Sequence, residues 1–369
     1  MIKKNIVIIF LGDFFFDARC INMARSLLKA NHSVTIICTY NKIIDDEKFN
    51  DIQFHNIRLQ RKGPLRYLEF HGKVVKLLKN KTFDAVIAGD LYALSSARLF
   101  KNTHIIYDCR EIYTELSAHI SKPLYKKVSC WYEKYFLKYV NTILTTADSD
   151  EKLLKKKYGC FKHLKWYIVY NYPINYKNYK KHNLKIKFNI PTNHTTIIYQ
   201  GVIQKHRGVG QLIELIKSSD NITAIIIGGG ESKDHYIQKT KQLNIINKVI
   251  FINKVPYLEL LDYTADCDIG WLVIKGQGIS NKLAMPNKLF EYTLMGLPVI
   301  SSQLKNMERI IKKYNLGVIV EENNVDQQIN AVQHIMNNQA QYVHIKKTIV
   351  EKFIWDLQHD KFIKLINEK

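Results

Sequence analysis

Three short segments in the C-terminal half of the chain combine glycines with cations in a way that suits an anion. The first is Tyr199-Gln200-Gly201, followed by Lys205, Arg207 and Gly208; the second is Gly228-Gly229-Gly230. The third is Pro286-Asn287-Lys288-Leu289-Phe290-Glu291-Tyr292. Each reads as the turn between a strand and a helix, where unpaired backbone N–H groups and the helix dipole favour negative charge. Glycine lets the backbone come close, and Arg207 and Lys288 add the side-chain cations that a diphosphate needs. Lys288 and Glu291 are three apart and share one helix face, so a cation for phosphate and a carboxylate for sugar hydroxyls come from a single turn. Taken singly, each has a plainer explanation: a GGG string is a loop, Arg207 a solvated cation, Glu291 a first-turn acid favoured by the dipole. Their succession on consecutive turns of one half is what points to a site.

Those turns need strands to hold them. Short β-rich runs alternate with longer helical patterns along the chain, the layout of βαβ units and of parallel sheets covered on both faces. In the first half the runs are 6–12, 33–38, 84–89, 104–108, 141–146 and 166–171. A polar, lysine-rich stretch with two prolines, 171–195, reads as an interdomain connection. Six more runs follow it: TTIIYQG, AIIIGGG, KVIFIN, IGWLVI, GLPVIS and GVIVEE. The 369 residues fit two domains, expected at 1–175 and 190–352, with a helical tail that carries Trp355.

Composition narrows the class. With 46% hydrophobic and 11% aromatic residues, 16 Gly and 7 Pro, the chain is globular rather than disordered or collagen-like. Lys+Arg 55 against Asp+Glu 33 gives a formal +22, which calls for an anionic partner: nucleic acid, an acidic membrane surface or a phosphorylated small molecule. The turn after the first strand reads LGDFFFDAR and lacks GxGxxG, and GxxxxGK[ST] is absent, against both NAD chemistry and a Walker-type ATPase. Cys20, Cys38, Cys109, Cys130, Cys160 and Cys267 are scattered, which argues against a disulfide framework or a structural zinc and fits a reducing cytoplasm. The opening MIKKNIVIIFLGD imitates a secretion signal, but its apolar run, 6–11, is short and is followed by no small-residue cleavage site. It reads as a buried strand, and no later run is long enough to span a bilayer.

With these residues in view, the second half resembles the C-terminal domain of retaining family 4 glycosyltransferases of the GT-B fold, particularly the bacterial surface-polysaccharide branch. YQGVIQKHRG, IIIGGG, ADCDIG and PNKLFEYTLMGLPVI stand in that branch's order, and FIWDLQHDKFIKL resembles its terminal tryptophan-containing helix. In the first half, FFFDARCINMARSLLKANHSVTIIC resembles the family's DxR segment, and IIYDCREIYTEL its DxHE segment. The resemblance implies an α/β fold of two doubly wound, Rossmann-like domains facing a central cleft, with the last helix, about 353–369, crossing back to the first domain. It implies that Arg207 and Lys288 bind the donor diphosphate and that Glu291 hydrogen-bonds the ribose. Gly201, Gly208 and Gly229 would let the backbone approach the donor, with Asn287 and Leu289 in the same motif and Val255 near the base. Asp108, Arg110 and Glu111 are the candidates for the acceptor-facing wall. The implied reaction moves a hexose, with retention, from a nucleotide sugar (UDP by family frequency) to a glycan or lipid-linked acceptor in lipopolysaccharide or capsule synthesis. Neither a metal nor another cofactor is implied.

Three departures stand against the family pattern. Leu283 occupies the place of the first of two glutamates, so the donor-sugar contact must come from elsewhere in 281–287. Arg110 stands where the histidine of DxHE is usual, and Val202 where an arginine is common. Two DxD strings suggest metal binding, but Asp148-Ser149-Asp150 is expected to cap a helix and Asp266-Cys267-Asp268 to precede a strand. A nucleotide-sugar epimerase of the same fold and an inactive donor-binding paralogue remain as alternatives. So does a nucleic-acid-binding protein, although no RRM or C2H2 signature occurs and the charge is spread over both halves, so no nucleic-acid partner is expected.

Residues 1–170 hold 29 Lys and Arg against 16 Asp and Glu, the remainder 26 against 17. Much of the first excess lies in RKGPLRYLEFHGKVVKLLKNK and KPLYKKVSCWYEKYFLKYV, where lysines interleave with aromatic and aliphatic residues at helical spacing. Such helices either lie on an anionic bilayer, making the enzyme peripheral to the inner face of the plasma membrane, or pack an apolar face on the sheet with lysines in solvent. The two readings differ in which way the apolar side chains point. His119 reads as a surface residue.

Overall fold

The computed structural model describes residues 2–40, 49–100, 102–115, 122–177, 179–276, 281–283 and 285–368. His119 and position 284 of the 281–287 segment lie outside them. The chain divides into two compact units, Met1–Asn171 with Trp355–Lys369, and Tyr172–Ile354.

The first unit contains β1 (Asn5–Ile9), α1 (Ala18–Lys29), β2 (Ser33–Cys38), β3 (Ile52–Asn56), α2 (Leu65–Leu78), β4 (Ala85–Ala88) and α3 (Leu94–Ala97). It continues with β5 (His104–Cys109), α4 (Pro123–Phe136), β6 (Thr142–Thr145), α5 (Asp148–Tyr158) and β7 (Lys165–Ile168). Its seven strands form one sheet in the order β3-β2-β1-β4-β5-β6-β7, every neighbouring pair parallel. β1 and β4, with helices over both faces, are buried almost throughout, which is why they read as continuous apolar runs. Each fully buried Ile or Val there contributes about 1.5–3 kcal/mol. β3 is absent from the strands expected above: IQFHN is an edge strand, largely part-exposed, and lacks the apolar run of a central one.

The C-terminal segment closes this unit. The Trp355 indole donates to Ser26 Oγ on α1 at 2.8 Å, and the Gln358 amide exchanges hydrogen bonds with the Tyr170 backbone at 2.7 and 2.9 Å. The helix His359–Asn367 buries Phe362, Ile363, Leu365 and Ile366, and the Ile366 carbonyl accepts from Lys4 Nζ at 2.8 Å.

In the second unit follow α6 (Leu184–Lys187), β8 (Thr195–Gln200), α7 (Val209–Lys217), β9 (Ile222–Ile227), α8 (Lys233–Gln242), β10 (Val249–Ile252) and α9 (Tyr257–Thr264). Then come β11 (Ile269–Leu272), α10 (Asn287–Leu294), β12 (Val299–Ser302), α11 (Lys305–Tyr314), β13 (Gly317–Val320), α12 (Val325–Asn337) and α13 (Ile345–Lys352). The six strands, all parallel, run β10-β9-β8-β11-β12-β13. Both sheets are therefore doubly wound. Strand order reverses between β1 and β4 in the first unit and between β8 and β11 in the second, and in such sheets ligands bind beyond the carboxyl ends at that reversal.

The strings suspected of metal binding are otherwise engaged. α5 begins at Asp148 with Ala147 at its N-cap and no side-chain cap bond, so Asp148 and Asp150 occupy the first turn instead of capping it. They complement the dipole there, opposite Lys155, Lys156 and Lys157 in the last turn. Asp266 accepts from the His182 amide at 2.6 Å, and Asp268 from the Thr196 amide and hydroxyl at 2.8 Å each. Among the described residues, no helix is long and apolar enough to cross a membrane.

Candidate functional site

At the carboxyl edge of the second sheet, the segments after β8 and β9 lie against each other. Gly201 N–H bonds Ile227 O and Ile203 N–H bonds Gly229 O, both at 2.9 Å. The approach is so close that a Cβ on Gly228, where φ is +155°, would fall 1.9 Å from Gly201 O. A Cβ on Gly229 would meet nothing within 4 Å, so beside that residue the turn is open.

Arg207 is placed by the neighbouring strand. Gly208, the N-cap of α7, accepts from the Trp271 indole of β11 at 2.8 Å, and the Lys275 amide donates to His206 O at 3.1 Å. Gly208 has φ +102°, and a Cβ there would lie 2.5 Å from Val273 O. The residue ahead of α7 is thus held at the strand reversal, with its guanidinium half-buried and, among the described residues, in no ion pair or side-chain hydrogen bond.

α10 supplies the rest. It starts after Pro286 and stops before Gly296, whose φ is +88°. Lys288 Nζ stands 3.9 Å from the centroid of the Tyr199 ring and 4.0 Å from where a Gly201 Cβ would be. Burial, and then repulsion from Arg207, push its ammonium down to about 7 against the opposing pull of Glu291. Two cations thus repel each other at the carboxyl end of β8, an arrangement that a bound phosphate anion would relieve.

One turn further on, Glu291 is buried and accepts from Gln200 Nε2 at 2.6 Å. Gln200 is fixed in turn by the Thr264 hydroxyl, which donates to its Oε1 at 2.7 Å, and by its own amide, which donates to the Tyr292 hydroxyl at 2.9 Å. Burial raises the Glu291 carboxyl to about 7, opposed by the Gln200 bond, the Lys288 charge and a bond from Tyr257.

The second unit thereby brings together Gly201, Arg207, Gly208, Lys288 and Glu291, with Gly229 on the adjoining strand end. Val255 follows β10, whose Ile252 O accepts from Gly228 N–H at 3.1 Å, so it too stands at this sheet edge. Asn287 is the first residue of α10 and half-buried. Leu289 points into the core and gives its N–H to Pro286 O at 3.1 Å, so it presents no free group to a ligand. Leu283 O accepts from Asn306 Nδ2 at 2.8 Å. Sequence reasoning missed Tyr199, Gln200, Thr264 and Tyr257 as the shell around Lys288 and Glu291. Tyr199 and Gln200 stand in the YQG string itself and were the findable pair.

In the first unit the three acceptor-side candidates fare differently. Asp108, at the end of β5, is fully enclosed: Arg19 Nε reaches both its oxygens at 2.8 and 2.9 Å, and Arg110 Nε reaches Oδ2 at 3.0 Å. It cannot touch an acceptor there, and its carboxylate serves to hold two arginines. Arg110 also pairs with Asp17 at 2.5 Å, places NH2 2.8 Å from Cys20 Sγ, and lies over the Phe10 ring at 5.4 Å. Glu111 is exposed. The nearby Asp150 is pushed up to about 6 by burial, with a smaller contribution from Glu111. The DxR resemblance, Asp17-Ala18-Arg19, carried the signal for this network without its geometry. Among the described residues no group of three or more His, Cys, Asp or Glu could hold a metal ion.

Comparison with known proteins follows this division. Residues 180–351 match the family described as "Glycosyl transferases group 1", and residues 18–172 match "Glycosyltransferase Family 4". A curated relative, chitobiosyldiphosphodolichol beta-mannosyltransferase of Candida albicans, is 24% identical over 356 residues, 86% of this chain and 77% of that protein. Among solved structures, Anabaena HepE in complex with UDP-glucose superposes with a TM-score of 0.73 at 14% identity, covering 98% of this chain and 99% of that one. WaaG, a glycosyltransferase involved in lipopolysaccharide biosynthesis, gives 0.73 at 15% identity over 99% and 100%.

Proposed function

Taking as premise that the chain is a family 4-like glycosyltransferase of the GT-B type, we propose that it is a retaining, metal-independent hexosyltransferase using a nucleotide sugar, with UDP the favoured carrier. The acceptor is a glycan or lipid-linked glycan of surface-polysaccharide synthesis. The single observation that carries the reading is the pair Arg207 and Lys288, two cations that repel each other where Lys288 stands against Tyr199 and Gly201 at the carboxyl end of β8. HepE, solved with UDP-glucose, and WaaG, described for lipopolysaccharide biosynthesis, support the donor and the pathway by likeness of fold. The diphosphodolichol in the curated relative's name supports a lipid-linked acceptor.

The chemistry is charge stabilisation. As the anomeric carbon parts from the diphosphate, negative charge grows on the leaving oxygen, and the two cations with the N–H groups of the glycine turns receive it without reorganising. Glu291, oriented by Gln200, accepts from the ribose hydroxyls. The acceptor hydroxyl bonds the anomeric carbon on the face the diphosphate leaves, and its proton passes to the departing phosphate oxygen, so no carboxylate pair of the hydrolase kind is needed. Arg110 and Glu111 are assigned to acceptor contacts, with Asp108 positioning Arg110.

A thermal-shift panel of UDP, GDP, ADP and their sugars, in excess chelator, tests the donor assignment, since a ligand that binds the folded form raises its melting temperature. The expected result is a shift by UDP or a UDP-sugar that Lys288→Ala removes. No shift by any nucleoside diphosphate would sink the reading, and release of an altered sugar without an acceptor would mark an epimerase instead.

A further inference from the structure

α4 carries large apolar side chains on its outward face as well as its inward one. A helix laid on a sheet normally turns its apolar stripe inward and its polar residues to water. Here the residues of α4 buried in the unit are Ser129 and Glu133, whereas Leu124, Val128 and Trp131 are 74%, 55% and 68% exposed. The spacing 124, 128, 131 places the three on one face. The inward polar residue is well satisfied: Glu133, 1% exposed, accepts from the Tyr107 hydroxyl at 2.9 Å and from the Tyr158 hydroxyl. Tyr132 and Phe136 complete that inner contact against the sheet. The outward apolar face is therefore not a stripe that failed to find the core, because the other side of the helix already occupies it.

The start of α2 extends the surface. Tyr67 stacks on Tyr92 at 4.1 Å, and the Tyr92 hydroxyl meets that of Tyr125 on α4 at 3.0 Å, so the two helix starts are neighbours. Leu65 and Leu68 are exposed there, together with Arg61, Lys62 and Arg66. Trp131 stacks on Tyr135, and Arg98 lies over the Tyr135 and Tyr139 rings at 5.8 and 5.1 Å.

Charge decides what covers this face. Glu133 is the one acid within α4, and it points inward. Lys122, Lys127, Lys134 and Lys138 are exposed and, among the described residues, form no ion pair. A surface of aromatic and aliphatic side chains ringed by uncompensated lysines and arginines matches the boundary of a bilayer rich in acidic lipid. There the apolar residues enter the headgroup region and the nearby cations are drawn to the acidic lipid. We propose that the outer face of α4 with the start of α2 docks this protein on an anionic lipid bilayer, Trp131 inserting among the headgroups. The inference does not depend on the donor assignment.

Co-sedimentation of the full chain with vesicles tests it, using phosphatidylcholine alone and phosphatidylcholine with one third phosphatidylglycerol, at low and high salt. The expected result is binding to the acidic vesicles that weakens at high salt. It should fall at least tenfold in Leu124→Ser/Val128→Ser/Trp131→Ser and also in Lys127→Glu/Lys134→Glu/Lys138→Glu, with unchanged melting temperatures. Trp131 emission should shift to the blue on binding, and the shift should vanish in Trp131→Phe while sedimentation persists. Equal binding to neutral vesicles, wild-type binding by either triple variant, or a shift that survives Trp131→Phe would overturn the proposal. So would dimerisation through this face without vesicle binding, the outcome that marks a protein partner instead.

Discussion

Lys288 concentrates the electrostatics of the second unit. Its ammonium is half-buried, repelled by Arg207, cushioned by the Tyr199 ring and partly offset by Glu291. Removing one preorganised donor of this kind typically costs about 10²–10³ in rate, and Arg207→Ala and Lys288→Ala should each lower turnover by that order while circular dichroism stays unchanged. A pH dependence follows from the same burial. With its ammonium at about 7 in the free protein, Lys288 is charged below that pH and loses its proton above it. A bound diphosphate raises this value, so donor binding takes up a proton at Lys288, and the part of the affinity that Lys288 supplies is full below pH 7 and declines above it, by at most roughly tenfold per pH unit. Calorimetric titration from pH 6 to 9 checks the sign, and Lys288→Arg, which keeps its charge, should flatten the slope. That Arg207, Lys288 and Glu291 come together was legible from residue type and spacing. Asp108 was not: its complete enclosure by Arg19 and Arg110 depends on residues 89 positions apart.

At the scale of elements, the turn after β9 separates two roles for adjacent glycines. Gly228→Ala places a methyl group 1.9 Å from Gly201 O at a positive φ and should cost more than about 2 kcal/mol in denaturant unfolding. Gly229→Ala meets no atom of the protein, so its stability should stay within about 0.5 kcal/mol of wild type while donor affinity falls. A reversal of that pattern would show that the open space is not where donor binds. In the first unit, Arg19→Met strips the fully buried Asp108 of its main partner and should destabilise by about 3–5 kcal/mol, read from the same unfolding curves. The elements themselves were mostly readable: all six strands expected in the second unit are present, and β3, an edge strand short of apolar residues, escaped.

For the molecule as a whole, the chain's last segment belongs to its first unit. Deleting Trp355–Lys369 removes the Trp355–Ser26 bond and uncovers the surface under Phe362 and Ile366. Amide exchange should then rise at least tenfold in α1 and β7, while the sheet β8 to β13 keeps its protection. The formal +22 divides by function at this scale. Arg207 and Lys288 answer to the proposed phosphate site, and the exposed cations around α4 to the proposed lipid face.

Local pattern was enough to specify two parallel α/β layers, the three glycine and cation turns, and the PNKLFEY motif, because periodicity, helix starts and glycine turns are encoded within a few residues. It could not say which way α4 faces. KPLYKKVSCWYEKYFLKYV supports both an inward and an outward apolar stripe, and the choice falls to Tyr107 and Tyr158, which hold Glu133 from elsewhere in the unit. The same holds for Lys288 over Tyr199 and for Asp108 under Arg19: burial and pairing arise between residues distant in sequence, so only the tertiary structure decides them.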